Sequence, residues 1–100
     1  MDVTIKTTGN PIDIRFTGAF TNSTAGSQTF MYIVVDGVNL GPGGGVIATM
    51  PSIGGYHSST AMSMIVPVAA GVHKVSIHWT TGSGTATAIG TQRVLTVTEL

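Results

Sequence analysis

Apolar residues recur at every second position along most of this chain, the spacing that puts them on one face of a β-strand. The clearest run is Ile12, Ile14, Phe16, Gly18 and Phe20, with Asp13, Arg15 and Thr17 between them. That alternation predicts a strand with one buried and one wet face. Before it, Val3 and Ile5 alternate with Thr4 and Lys6, and Gly9-Asn10-Pro11 marks a turn. After it, residues 21–27 read as a polar loop. Phe30-Met31-Tyr32-Ile33-Val34-Val35 then forms a strand that is apolar on both faces. A strand of that kind is covered on both sides.

Asp36-Gly37 is the strongest hairpin signal in the chain, because both central positions of such a turn favour positive φ. Val38-Asn39-Leu40 reads as a short return strand. Gly41-Pro42-Gly43-Gly44-Gly45 reads as an irregular loop, and residues 50–57 as a second one around Pro51 and Gly54-Gly55. Residues 59–68 alternate again, with Met62, Met64 and Val66 opposite Ala61, Ser63 and Ile65. The closing segment reads as a three-stranded meander: Val72 to Thr80, a turn at Thr81–Gly84, Thr85 to Ile89, a turn at Gly90-Thr91, and Gln92 to Leu100. No segment has helical periodicity. The expected fold is one all-β domain over residues 1–100, an antiparallel, jelly-roll-like β-sandwich of about eight strands.

Composition sharpens this picture in one respect. Only 8% of residues are charged, four basic and four acidic, against a usual level of about 25%. Sixteen Thr and eight Ser supply polarity instead. Charge is what commonly keeps sheet edges from sticking, so a surface this neutral is expected to be covered by copies of itself or by a partner. The zero net charge gives no bulk attraction to nucleic acid or to an anionic membrane, and neither is an expected partner. Cysteine is absent, which excludes disulfides and thiolate metal sites. The first residues carry no charged stretch followed by an apolar run, so no signal peptide is expected. No apolar run approaches the roughly 18 residues of a membrane helix.

Candidate chemistry is sparse. His73 and His78 are an odd number of residues apart on one strand, so they point to opposite faces and cannot share an ion. No metal or other cofactor is expected. Asp2, Asp13, Asp36 and Glu99 are scattered one per element, with no pair for acid–base work. No Gly-x-Ser-x-Gly occurs, and the Gly41–Gly45 run lacks the Gly-Lys-Ser/Thr ending of a phosphate loop. Trp79 could offer a sugar-stacking platform, but its phase with Val75 and Ile77 assigns it to the core. Asn22-Ser23-Thr24 matches a glycosylation sequon, here read as a chance match. The expectation is a protein that is not an enzyme.

Two stretches carry a family resemblance. Val3-Thr4-Ile5 with Asn10-Pro11-Ile12-Asp13-Ile14 and the Tyr32 to Gly37 strand and turn resembles the opening of small β-sandwich domains in tailed-bacteriophage virion proteins. Ala70-Gly71-Val72-His73-Lys74-Val75-Ser76-Ile77-His78-Trp79, Gly84-Thr85-Ala86 and residues 93–100 resemble the meander that closes them. The resemblance implies a jelly roll similar to the tumour-necrosis-factor and C1q heads. It also implies a homotrimer, located in the virion and assembled in the host cytoplasm. No shaft or coiled coil precedes the domain, which favours a capsid decoration or cement protein bound to the major capsid protein or another virion protein. The alternative is a tail-fibre head that binds a receptor or carbohydrate through loop residues Gly43, Gly44, Tyr56 and His57. For the trimer interface the candidates are the second apolar faces, Phe30/Tyr32/Val34 and Met62/Met64/Val66. Periodicity alone leaves open which face of each strand is core.

Overall fold

The computed structural model describes residues 1–24, 26–49 and 58–100. Within them seven strands form two antiparallel sheets: β1 (Asp2–Thr7), β2 (Ile12–Asn22), β3 (Gln28–Val35), β4 (Val38–Thr49), β5 (Ser58–Val66), β6 (Gly71–Thr81) and β7 (Ala86–Glu99). The order is β1-β6-β3-β4 in one sheet and β5-β2-β7 in the other. β1 lies near β7 and β4 near β5, so β6 and β3 cover β2. This is the all-β sandwich that the alternation implies.

The core is what the alternating positions put between the sheets. Ile12, Ile14, Phe16 and Phe20 of β2 face Met31 and Ile33 of β3 and Val75 and Ile77 of β6, all at most 1% exposed. Burial of each such side chain contributes about 1.5–3 kcal/mol. Trp79 packs against this cluster, its ring edge-to-face with Phe20 at 5.5 Å between centroids. β2 is the central strand of its sheet, which explains why its pattern is the cleanest in the sequence.

Three expectations are corrected by the structure. The closing meander does not exist as a meander: β6 belongs to one sheet and β7 to the other, so the turn at residues 82–85 crosses between layers. Nor does Gly90-Thr91 reverse the chain. β7 stays paired with β2 on both sides of it, and between Phe20↔Ala88 and Gly18↔Arg93 the register slips, the extra β7 residues forming a bulge. A glycine in a strand serves a bulge as readily as a turn.

Gly43 and Gly44, expected in an irregular loop, lie within β4. The run around Pro42 is absorbed by register shifts, with Met31 opposite Val46 and Ile33 opposite Gly41. β4 is an edge strand, where a missing proline donor costs least. Asp36-Gly37 does form the β3–β4 turn, with φ of 50° and 80°. Tyr56 and His57 lie outside the described residues.

Candidate functional site

Both strands with two apolar faces now have an inside and an outside. On β3, Met31, Ile33 and Val35 enter the core, while Phe30 and Tyr32 are half-buried on the outer face of the four-stranded sheet. Val34 shares that outer row but is only 6% exposed within the chain. Phe30, Tyr32 and Val34 stand opposite Thr80, His78 and Ser76 of β6, which gives this face an aromatic and hydroxyl character. On β5 the assignment is the reverse. Met62 and Val66 are buried and Met64 packs against the same cluster. They stand opposite Phe16, Ile12 and Ile14, whose phase carries them inward. The Met62/Met64/Val66 face is therefore core, and Ala61, Ser63 and Ile65 form the outer face of β5, with Ile65 63% exposed. Next to them an open depression of about 510 Å³ is lined chiefly by Thr17, Ala19, Ser59, Ala61 and Gln92.

The four carboxylates each have a partner within the chain. Asp2 pairs with Lys74 at 3.3 Å and Asp13 with Arg15 at 3.0 Å, both at the surface. Asp36 has a larger role. Its Oδ1 accepts from the Lys74 backbone N–H at 2.9 Å and its Oδ2 meets His73 Nδ1 at 2.7 Å. The other ring nitrogen, Nε2, lies 2.7 Å from the Ala69 carbonyl oxygen. Two oxygen acceptors require both nitrogens to donate, which favours the imidazolium. The bonds to Asp36 and to Ala69 accordingly raise the His73 pKa above 6.5. The His73 and Lys74 bonds lower that of Asp36 below 3.8.

Glu99 forms a second clamp. Its carboxylate accepts from the Thr8 N–H at 2.6 Å, the Thr8 hydroxyl at 3.0 Å and the Asn10 N–H at 3.3 Å. These bonds, the Thr8 amide first, lower its pKa below 4.5. The end of β7 is thereby tied to the turn between β1 and β2.

A third polar constellation links the β2–β3 and β6–β7 connections. Asn22 Nδ2 donates to the Thr81 hydroxyl at 2.7 Å, and Asn22 Oδ1 accepts from Thr24 N–H at 2.8 Å. The Ser27 hydroxyl donates to the Ser83 carbonyl at 2.9 Å, and Ser23 Oγ accepts from Thr85 N–H at 2.8 Å. Asn22 is 2% exposed, so its amide is consumed by this knot and unavailable to a glycosyltransferase in the folded chain.

His73 sits on the core-facing row of β6 and His78 on the outer row, as their spacing requires. Among the described residues no three His, Asp or Glu side chains converge. What the geometry brings together is structural: each polar cluster joins two connections or closes a turn. Sequence reasoning identified Asp36 as a turn residue and missed its clamp with His73, the Glu99 clamp and the Asn22 knot. No family model matches the chain, and no curated protein matches it significantly.

Proposed function

We propose that this protein is a non-enzymatic structural subunit of a tailed-phage virion, a trimeric decoration or cement protein that binds an assembled capsid. The observation that supports this most is how the chain uses its few charges. All four carboxylates are engaged by partners within the chain, at turns or in surface pairs. What remains on the outer sheet faces is hydroxyl, small apolar and aromatic. A surface of that kind suits permanent coverage in an assembly more than free diffusion. The family resemblance of the two ends supplies the kind of assembly. The Phe30/Tyr32/Val34 row is the face for the threefold contact, since the Met62/Met64/Val66 row is occupied in the core.

The mechanism is mass action: a ligand that binds only the intact shell raises the free energy needed to take the shell apart. Two measurements test it. Light scattering of the purified protein at micromolar concentration should give about three times the 10.2 kDa chain mass. Purified capsids heated with the protein should melt at a higher temperature than capsids alone. A stable monomer, or capsids that neither bind the protein nor shift in melting, refutes the reading.

A further inference from the structure

The sandwich has four edge strands, and three of them carry devices that discourage pairing with another sheet. β1 is six residues long and presents Asp2 and Lys6. β4 contains Pro42 and two register shifts. β7 carries the bulge at residues 89–92 together with Arg93 and Glu99. β5 carries none of these. Its nine residues, Ser-Ser-Thr-Ala-Met-Ser-Met-Ile-Val, contain no charge and no proline, and they pair with β2 without a register shift. Among the described residues no strand pairs with its other side. An open, regular, uncharged edge is a template for another strand.

The direction of its backbone groups follows from the register. Leu100 N–H donates to the Pro11 carbonyl, so odd-numbered residues of this part of β2 bond to β7 and even-numbered ones to β5. The partners of those even residues, Ser58 to Val66 by twos, spend their backbone groups on β2. Ser59, Ala61, Ser63 and Ile65 therefore aim both N–H and C=O at the open edge.

We infer that β5 pairs antiparallel with β5 of a second copy of this chain, about a twofold axis at Met62. That register sets Ser59 opposite the second copy's Ile65 and Ala61 opposite its Ser63, closing about eight hydrogen bonds with every outward group matched. No like charges meet, and the two three-stranded sheets become one continuous sheet. Self-match of the outward groups about one residue is what selects a second copy over an unrelated strand.

The inference does not rest on the threefold proposal, and masses separate the two. Sedimentation of the wild-type chain should give an even species: about two chain masses if only the β5 contact forms, about six if the threefold contact forms too. Ser63→Pro removes an outward N–H without touching a bond to β2, and Ala61→Lys with Ser63→Lys places like charges opposite each other. Both variants should stay folded by circular dichroism and fall to monomer or trimer. Ala61→Lys with Ser63→Glu puts opposite charges face to face only in this register, and should restore the even species. Hydrogen exchange at the Ser59, Ala61, Ser63 and Ile65 amides should slow as concentration rises. The inference is overturned by a wild-type monomer or trimer, by masses indifferent to all three variants, by fast exchange of these amides at every concentration, or by open-ended fibres.

Discussion

Thr29 is fully buried, and among the described residues its hydroxyl has no hydrogen-bond partner. A buried hydroxyl left without a partner costs about 1–3 kcal/mol, and valine has the same shape without that group. Thr29→Val should therefore stabilise the fold by about 1 kcal/mol, roughly 4–8 °C in a thermal melt. An unchanged or lower melting temperature would show that the hydroxyl is satisfied. Gly84 is the opposite case. Its φ is +68°, and an added Cβ would stand 2.5 Å from both Asn22 Oδ1 and Thr24 Oγ1. Gly84→Ala combines an unfavourable backbone with a collision inside the polar knot, and should cost about 1–3 kcal/mol in denaturant titration. Neither site was legible in the sequence. Thr29 occupies an ordinary strand position, and Gly84 reads as any turn glycine until the chain brings Asn22 beside it.

The strands themselves were legible where one face is wet, because period-two alternation then reports burial directly. β2 shows this best. Where both faces are apolar, as in β3 and β5, periodicity could not separate inside from outside, and partners across the sheet decided it: Met62 is core because it stands opposite Phe16. Glycine was the other source of error. Gly43, Gly44 and Gly90 signal departure from a regular ladder, and edge strands accommodate that by bulging without ending. The clamps were invisible for a different reason, since Glu99 reaches Thr8 across 91 positions. Their effect should appear in stability against pH. Asp36 and Glu99 have folded pKa values lowered from 3.8 and 4.5, so their contribution is complete above those values and disappears as pH falls through the lowered ones. His73 is raised from 6.5, so its contribution is complete below that pH and is lost as pH rises through the raised value. Thermal melts from pH 5 to 9 should show a decline on the alkaline side that is absent in His73→Gln. An identical decline in the variant would assign it to another group.

At the scale of the whole molecule, a two-layer sandwich of this length buries one face of each sheet and leaves two faces to the surroundings. The low charge content made that surplus readable from composition, and the structure distributes it: one outer face bears Phe30 and Tyr32, the other the small residues of β5 and β2. Side chains on an outer face can be changed without opening the core, which makes the proposed threefold contact separable from folding. Tyr32→Glu introduces a charge on a half-buried surface position opposite His78. If that face is the threefold contact, a charge repeated in each of the copies at one axis would be desolvated without a partner. The wild-type trimer should persist between low and high salt, because the carboxylates are already paired within each chain and screening has little to weaken. Tyr32→Glu should lose the trimer by light scattering while retaining the β-sheet circular dichroism of the wild type. A trimer that survives this substitution, or one that dissociates in salt alone, would remove the Phe30/Tyr32/Val34 row from the interface and require another face of the sandwich to carry it.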